Sequence, residues 1–266
     1  MKSLTHDIVR RAVDGDAAAV RTIVGGLQRP FYNLALRMLM VPADAEEATQ
    51  EALLRVITRL SVFDYRSKFS TWAWRVAVRR ILDFRDAARR APALTFDGFV
   101  EDLADGLDRN APSPEDALLV QQVKVGCGRA LLQCLDADHR VAYVLGEVLE
   151  LTGTEAAAIL GVSAATYRKR LSRARKGISD HLGRACGVVN PAAACTCAGR
   201  VRKAEELGRL FSKDREGDVD LVQLGRTVRE VSALARGGVY HRADPQLEAP
   251  PGLLARVERA VGARRP

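Results

Sequence analysis

The sequence predicts an all-α protein, and three observations support that fold class. Apolar residues recur at spacings of three and four through most of the chain, which is the helical period. No segment alternates apolar and polar residues convincingly, as a half-buried strand would. Capping residues and Gly or Pro boundaries separate the periodic segments. The composition allows real cores, since 47% of the 266 residues are hydrophobic.

The bulk composition narrows the class of protein. A formal net charge of +8 favours a polyanionic partner, although many other proteins reach such values. No stretch approaches the roughly 18 consecutive apolar residues of a membrane span, so no membrane insertion is expected. The N-terminus lacks the apolar core of a signal peptide. The odd count of five cysteines argues against a disulfide framework. We therefore expect a cytoplasmic protein of two or three domains.

Residues from about 4 to 90 predict several helices. Two sets of apolar residues recur there at helical spacing: Leu34, Met38 and Val41, then Ala48, Leu53, Val56 and Leu60. The segment Pro42-Ala-Asp44 separates the two helices, and Asp44 can cap the second one. Glu46 and Glu47 then lie in the positive first turn of that helix, where acidic side chains are favourable.

A basic and aromatic segment runs from Tyr65 to Arg80 and contains both tryptophans, Trp72 and Trp74. They lie among further aromatic and basic residues: Phe63, Tyr65, Phe69, Arg66, Lys68, Arg75, Arg79 and Arg80. Aromatic faces stack on unpaired bases, contributing roughly 1–3 kcal/mol each, while cations follow the phosphate backbone. For each residue alone a place in the helical core is the simpler interpretation, and we expect at least one tryptophan to be mainly core. The segment as a whole predicts contact with single-stranded nucleic acid.

Residues 92–116 differ sharply in composition from the preceding segment, because they contain seven acidic residues and a single basic one, Arg109. The acidic residues are Asp97, Glu101, Asp102, Asp105, Asp108, Glu115 and Asp116. Pro92, Pro112 and Pro114 fall in the same stretch. The simplest interpretation is a solvated linker. Helical periodicity resumes at Ala117 and continues to about residue 183.

A helix-turn-helix pattern lies near the end of that region. A helix from Thr154 to Leu160 is followed by a tight turn at Gly161-Val162, and Ser163 is a good N-cap for the next helix. That helix has an apolar stripe: Tyr167, Leu171, Ala174 and Ile178. Its polar and basic side carries the candidate DNA contacts Arg168, Lys169, Ser172, Arg173 and Lys176. An apolar stripe for docking and a basic stripe for DNA suit a recognition helix. A lone basic helix would more simply be a solvated surface helix, but the capped turn in front favours DNA.

These motifs, taken together, resemble an RNA polymerase sigma factor of the extracytoplasmic-function type. Four segments match in the family's order: Asp44 to Leu54 the polymerase-binding helix, Phe69 to Ala77 the strand-melting and minus-ten-reading segment, Ser113 to Leu119 the start of the second conserved domain, and Thr154 to Arg175 the minus-thirty-five-reading helix-turn-helix. The match covers about residues 5–184. Arg79 stands where the family commonly has Asn, and Asp83 where a second polar reader is often found, so the base preference stays open.

The resemblance implies a promoter-specificity subunit with no catalytic residues, no required cofactor, and two partners, core RNA polymerase and promoter DNA. The acidic helix would bind the clamp helices of the polymerase large subunit through Asp44, Glu46, Glu47, Gln50 and Glu51. The basic segment would contact the melted strand through Lys68, Trp72, Trp74, Arg75 and Arg79. The acidic linker would thread toward the polymerase active centre, mimicking nucleic acid by charge. The implied domains are a region-two-like domain (1–91), the linker (92–116), a region-four-like domain (117–184) and a C-terminal extension (185–266).

The extension begins with cysteines at spacings that metal sites use. Three cysteines and a histidine, Cys186, Cys195, Cys197 and His181, could form a tetrahedral zinc site. The Cys-x-Cys spacing also suits copper(I), a thiol redox pair is a further interpretation, and three ordinary thiols are the plainest one. Some sigma factors carry cysteine-rich extensions of this kind. Cys127 and Cys134 instead share a helix face with Leu131 and are predicted to be core.

Three functions remain under comparison. A sigma factor is favoured, because an ordinary helix-turn-helix repressor or activator would need neither the tryptophan-bearing basic segment nor the acidic helix. The third is a metal or redox sensor whose DNA binding is secondary. An enzyme is not expected, since the four histidines are scattered and no nucleophile constellation is present. Whether an anti-sigma factor or the extension itself regulates the protein stays open at this point.

Overall fold

A computed structural model describes residues 4–88, 94–107, 117–207, 210 and 246–262. The all-α prediction is confirmed, since the one β feature of these residues is an isolated bridge between Cys186 and Cys195. Their α-helices are α1 (His6–Val13), α2 (Ala17–Leu39), α3 (Pro42–Thr58), α4 (Phe69–Ala88), α5 (Phe96–Ala104), α6 (Ala117–Gln133), α7 (Ala137–Tyr143), α8 (Gly153–Leu160), α9 (Ala164–Ala185), α10 (Val201–Glu206) and α11 (Leu253–Gly262). Within the described part of the chain, no helix is both long enough and apolar enough to cross a membrane.

Short polar side chains begin most of these helices, as their sequences predict. Asp16 caps α2, its carboxylate accepting from the amides of Ala18 and Ala19 at 2.8 and 3.2 Å. The prediction that Asp44 caps α3 is wrong, because α3 begins two residues earlier, at Pro42. Proline suits the first helical position, where its missing N–H and fixed φ are no disadvantage. Asp44 lies instead in the positively polarised first turn.

The first of two compact units comprises Met1–Arg90, Thr152–Tyr167 and Gln246–Pro266. In its centre, α2, α3 and α4 pack around fully buried side chains such as Phe31 and Leu53. Helix α8 packs on α4, and α11 packs on α3 and α2. Two surfaces with predicted functions therefore lie beside helices that are distant from them in sequence. They are the basic segment of α4 and the acidic side of α3, which carries Asp44, Glu46, Glu47, Gln50 and Glu51.

The second unit comprises Ala91–Leu151 and Arg168–Pro245, and it corrects the interpretation of the acidic segment. Residues 96–104 form α5, so a solvated linker is wrong for that part. The hydroxyl of Thr95 caps α5, accepting from the amide of Gly98 at 3.0 Å, and Phe99 and Leu103 are buried. Their spacing of four is helical, and the acidic residues between them had obscured it. Residues 108–116 lie outside the described residues.

The unit boundaries also differ from the predicted domain boundaries. The first helix of the helix-turn-helix belongs to the first unit, with the N-terminal helices. The extension is divided, with its beginning in the second unit and its end in the first. Within the extension, the sequence predicts weaker helices around residues 200–211, 219–236 and 252–262, separated by Gly237-Gly238 and Pro250-Pro251. The helix near 252–262 is α11, and the one near 200–211 is the shorter α10. A helix predicted over residues 219–236, with an apolar stripe that could dock elsewhere, lies outside the described residues.

Candidate functional site

An arginine-lined pocket of about 380 Å³ lies between α3 and α4. Its lining residues are Arg55, Arg59, Trp72, Arg75, Val76, Arg79, Arg80 and Asp83. Trp72 forms a half-buried wall, 5.5 Å from Phe63 and 5.7 Å from Phe69 between ring centroids, and is stacked on Phe69. Asp83 is the one carboxylate among five lining guanidinium groups, so the pocket has a positive potential. Such a pocket suits a nucleotide, with the base against Trp72 and phosphates near the arginines.

The lining arginines differ in how far they are already engaged. Arg80 is paired with Glu51 of α3 at 2.5 Å. Arg55, Arg59 and Arg79 are exposed and make no ion pair with any residue that the structure describes. Sequence reasoning missed Arg55 and Arg59, although their spacing of four places them on one face of the helix that ends beside the aromatic segment.

Trp74 does not line this pocket. Its side chain is 5% exposed and tilted against Phe31, with 5.2 Å between ring centroids. Positions two apart on a helix are separated by about 200°, so Trp72 and Trp74 lie on opposite sides of α4. The prediction that at least one tryptophan is core is confirmed, and the assignment of Trp74 to DNA contact is wrong.

Two of the predicted strand-contacting cations are engaged by α8. The Nζ of Lys68 lies 3.2 Å from the carboxylate of Glu155. Arg75 donates from Nε and Nη2 to the carbonyl of Ala158, at 3.0 and 2.6 Å. This carbonyl lies in the last turn of α8, where helical acceptors lack partners within the helix. In this conformation α8 therefore uses part of the cationic surface that the sequence assigns to DNA.

The predicted polymerase-binding residues all lie on α3, but they are in different states. Glu51 is paired with Arg80 and so links α3 to α4. Glu46 and Gln50 accept from an arginine of α11. Glu47 is exposed, and among the described residues neither it nor Asp44 has an ionic partner. Glu47 is consequently the most accessible member of the predicted set.

Local signals build the turn before α9 as the sequence predicts. Thr152 and Glu155 form a reciprocal capping box at the start of α8. Gly161, with φ of 67°, ends α8 in the left-handed conformation that glycine adopts without strain. The hydroxyl of Ser163 accepts from the amide of Thr166 at 3.1 Å and begins α9. The predicted apolar stripe is confirmed as buried: Tyr167, Leu171, Ala174 and Ile178.

The polar side of α9 separates into paired and unpaired residues. The predicted DNA contacts are all exposed: Arg168, Lys169, Ser172, Arg173 and Lys176. Two flanking arginines hold the helix by intramolecular pairs, Arg170 to Asp138 at 2.6 Å and Arg175 to Glu147 at 2.7 Å. Lys176 is paired along the helix with an aspartate. By contrast Arg168, Lys169 and Arg173 meet no acidic side chain in the described ranges, so they remain available to an external anion.

The beginning of the extension is attached to α5 by a buried arginine. The Arg200 side chain is 5% exposed and pairs with Asp102 at 3.3 Å. It also donates to the carbonyls of Asp105 and Leu103, at 2.5 and 3.4 Å. Lys203 pairs with the Asp105 carboxylate at 2.7 Å. No motif or periodicity marked Arg200, so sequence reasoning could not have distinguished it from the other basic residues.

Cys186 and Cys195 are placed side by side by their backbones. The amide of Gly187 donates to the carbonyl of Cys195 at 2.9 Å, and a Cβ at Gly187 would lie only 2.5 Å from that oxygen. Asn190 closes the loop, since its amide donates to the carbonyl of Cys186 and its side chain to that of Gly183, both at 2.8 Å. A compact loop, with a glycine that close packing requires, therefore holds these two cysteines.

Cys127 is the further thiol near the extension cysteines. Cys197 packs against a cluster that includes Val123, and Cys127 lies one turn beyond Val123 on α6. Burial raises the pKa of Cys127, and the nearby thiols of Cys197, Cys186 and Cys195 raise it further. Burial also raises the pKa of Cys197 to about 12. The sequence placed Cys127 in the core, where it is half-buried, and missed its proximity to the other three.

His181 is not associated with the cysteines. It is 2% exposed and stacked on Phe99, with 5.3 Å between ring centroids, and it also contacts Phe96 at 5.7 Å. Burial, and then the positive charge of Arg184, lower the pKa of His181. Over the described ranges, no group of three or more His, Cys, Asp or Glu side chains has an arrangement that could hold a metal ion. The assignment of His181 as a ligand is therefore wrong, and the cysteines do not form a preformed metal site.

Comparison with known proteins accounts for the two sigma-like regions. The family model of Sigma-70 region 2 matches residues 23–91, and that of Sigma-70 region 4 matches residues 129–178. The chain is 27% identical over 192 residues to the ECF RNA polymerase sigma factor SigW of Bacillus subtilis, covering 68% of this chain and 98% of that protein. It is 29% identical over 177 residues to the ECF RNA polymerase sigma-E factor of Escherichia coli, covering 65% and 91%.

Solved structures that are similar include the sigma factor RpoE in complex with the anti-sigma factor NepR from Bartonella quintana. The similarity has a TM-score of 0.43 and 21% sequence identity, and it covers 60% of this chain and 94% of that one. Neither family model extends past residue 178, so the cysteine-bearing extension is outside both matches. The part of the chain before the extension contains two regions of one family in that family's order, and it matches relatives over nearly their whole lengths. The chain belongs to the extracytoplasmic-function sigma factors of RNA polymerase.

Proposed function

We propose that this sigma factor binds core RNA polymerase through the acidic side of α3 and opens promoter DNA at the arginine-lined pocket. A role in transcription initiation follows from the family, and the assignment to particular residues is the proposal. The observation that carries it is the pocket itself, where Trp72 and five guanidinium groups surround a cavity beside the acidic helix. An aromatic wall and cations are what an extruded base and its phosphates need.

In the proposed open complex an unpaired base stacks on Trp72, while Arg55, Arg59 and Arg79 neutralise the adjacent phosphates. Lys68 and Arg75 join them once they leave Glu155 and Ala158. The Lys68 pair is exposed, and exposed ion pairs contribute little to stability, so a phosphate can replace the carboxylate at low cost. Melting would then be accompanied by separation of α8 from α4.

For the upstream promoter element we assign Arg168, Lys169 and Arg173 as the contacts made by α9. Their lack of acidic partners in the described residues supports this choice over Arg170 and Arg175, which are engaged within the protein. Guanidinium and ammonium groups can read guanine edges or neutralise phosphates. The paired arginines would act by fixing the orientation of the helix.

The pocket is tested by comparing the two tryptophans. We expect Trp72→Ala to form a closed promoter complex yet show little permanganate reactivity of the melted thymines, because the stacking wall is gone. Trp74→Ala serves as the contrast: it should lower the free energy of unfolding by about 3–5 kcal/mol, as core Trp truncation does. Normal opening by folded Trp72→Ala protein would contradict the assignment.

We further propose that the extension responds to a thiol-binding metal, zinc or copper(I). What supports this is that the three extension thiols lie close enough to Cys127 to raise its pKa, so four thiols, the number a tetrahedral site needs, share one region without His181. Because these side chains have no metal-holding arrangement in the described structure, binding would require them to reorient. The thiols must also lose protons, so occupancy should rise with pH. Their raised pKa values argue against a reactive thiolate, which makes a redox pair the less favoured alternative.

Elemental analysis of protein purified without chelator tests this second proposal. Cys127→Ser should reduce bound metal as much as Cys197→Ser does, whereas His181→Phe should leave it unchanged. Absence of stoichiometric metal in the parent, together with unchanged transcription by a variant lacking all four thiols, would leave the cysteines as ordinary residues. Loss of activity under oxidant, reversed by reductant, in metal-free protein would instead favour the redox alternative.

A further inference from the structure

The end of the extension covers the acidic side of α3. Helix α11 packs on α3 and α2, and its Leu253 and Val257 side chains are fully buried there. From the same helix, the Arg256 guanidinium pairs with the Glu46 carboxylate and donates to the Gln50 side chain at 3.3 Å. Two of the five residues assigned to polymerase binding are therefore already in contact with this protein's own C-terminal helix.

The residues before α11 are attached to α2 in a specific way. The buried Asn33 amide donates to the carbonyl of Leu247 at 2.7 Å and accepts from its N–H at 2.8 Å. Arg29 donates to the carbonyl of Gln246 at 3.1 Å and pairs with Glu248 at 2.9 Å. A buried side-chain amide satisfied on both sides by one residue's backbone indicates a defined docking position, since buried polar groups require such partners.

We propose that residues 246–262 compete intramolecularly with core polymerase for the acidic side of α3. This inference rests on the proposed assignment of α3 as the polymerase-binding helix. A partner that binds there must present a cation to Glu46 and Gln50 and apolar side chains beside them. Arg256, Leu253 and Val257 present that chemistry within the chain, so the polymerase and α11 cannot both occupy the surface. Holoenzyme formation then requires α11 to leave.

The contact between Arg256 and Glu46 is partly exposed to solvent, as a displaceable interaction needs to be. The side chains of Arg256 and Glu46 are each 33% exposed, so water can replace their interaction as α11 leaves. When the competent state is only a fraction of the population, the apparent affinity falls by that fraction. Release of α11 should therefore raise the affinity of the full chain for core polymerase without any new contact.

The test measures the affinity of full-length variants for core polymerase. Arg256→Glu, and separately Leu253→Asp with Val257→Asp, should raise the affinity roughly fivefold, as expected if the covered state is about four times as populated as the open one. Arg259→Glu is the matched control. It makes the same charge change on the same helix, but Arg259 is exposed and forms no ion pair within the described residues, so the affinity should stay at the parental value.

Hydrogen exchange supplies a second measurement that does not depend on the variants. The amides of residues 253–262 should be protected in the free protein and lose that protection on binding to core polymerase. Protection that persists in the holoenzyme would overturn the competition. A weaker affinity of Arg256→Glu would also overturn it, because α11 would then be part of the polymerase-binding surface.

Failure of the α3 assignment gives a different result. Glu47→Lys alters an exposed acidic residue that α11 does not engage, and it should weaken polymerase binding in both the parent and the Arg256→Glu background. Unchanged affinity on Glu47→Lys would overturn the assignment of α3, and the inference with it. Weakened binding by Glu47→Lys, but no gain from either α11 variant, would overturn the competition alone.

Discussion

The two ends of the C-terminal extension both place an arginine on acidic residues, but at different depths. Arg200 is 5% exposed and donates to two backbone carbonyls as well as pairing with Asp102. The Arg256 side chain is 33% exposed, and its polar partners among the described residues are two side chains, those of Glu46 and Gln50. The first contact fixes α5 in the second unit, and the second covers α3 in the first unit.

The difference shows how one kind of residue can serve two purposes. Removing the Arg200 guanidinium takes a donor from the carbonyls of Leu103 and Asp105. The bond to Leu103 is buried, so the desolvation cost of that carbonyl is no longer offset. Arg256 and its partners are partly hydrated already, so their separation leaves nothing buried and unsatisfied on that side. We therefore interpret the Arg200 contact as permanent and the Arg256 contact as exchangeable.

The largest expected effect is that of Arg200→Ala. It should lower the free energy of unfolding by about 2–3 kcal/mol, because Asp102 loses its cation and the carbonyls of Asp105 and Leu103 lose their donor. Chemical denaturation followed by circular dichroism measures it. Arg202→Ala is the matched control, since Arg202 is 75% exposed and its ion pair within the described residues is with Glu206 along its own helix. This substitution should cost less than about 0.5 kcal/mol. Equal losses of unfolding free energy in the two variants would contradict the interpretation of Arg200 as a buried, permanent contact.

A smaller effect is expected from truncating a buried residue of α11. Full burial of Leu253 would ordinarily predict a loss of about 2–5 kcal/mol for Leu253→Ala. If α11 can leave, the loss cannot exceed its docking free energy, about 1 kcal/mol for a fivefold effect on affinity. Leu53→Ala in the adjacent α3 should show the ordinary cost, because that side chain cannot leave without unfolding the unit. A loss above about 2 kcal/mol for Leu253→Ala would mean that α11 is a permanent part of the core.

Acid should weaken the second unit through His181, which stacks on the same helix that Arg200 holds. Since burial lowers the pKa of His181, the unfolded chain takes up a proton that the folded chain resists. Stability should therefore fall as the pH drops through the ordinary histidine pKa of about 6.5, and not change through this group above it. His181→Phe keeps an aromatic ring beside Phe99 and should reduce the dependence measured by denaturation at several pH values. An identical pH profile in both proteins would mean that the His181 imidazole does not cause the loss of stability in acid.

The smallest expected effect is that of salt, which should weaken the exposed Arg256 contact more than the buried Arg200 contact. Raising the ionic strength from about 0.05 M to about 0.5 M shortens the screening length and weakens exposed pairs more than buried ones. Amide exchange in α11 should accelerate by roughly a factor of two, corresponding to a few tenths of a kcal/mol. Exchange in α10, beside the buried Arg200, should accelerate less, although salt also screens its exposed pairs such as Lys203 with Asp105. Equal acceleration in both helices would contradict the assigned depths.

The sequence alone determined the features that depend on local spacing. The apolar stripe of α9, its N-cap Ser163 and the turn at Gly161 were all predicted, because helix period and cap chemistry act over a few residues. The sequence also showed the order of the family's motifs, through the resemblance of four of its segments to that family. It also required that at least one tryptophan be core, without deciding which.

Only the tertiary structure decided which surfaces are covered, and by what. Periodicity says that a helix has an apolar face, but not which element lies against it. Asn33 and Leu247 are 214 positions apart, so no local signal links them. For the same reason the sequence analysis grouped His181 with the cysteines. In the fold, His181 packs against the aromatic rings of α5, and Cys127 lies near the extension thiols instead. Contacts between distant segments depend on the whole chain's packing, whereas a cap or a stripe depends on its neighbours.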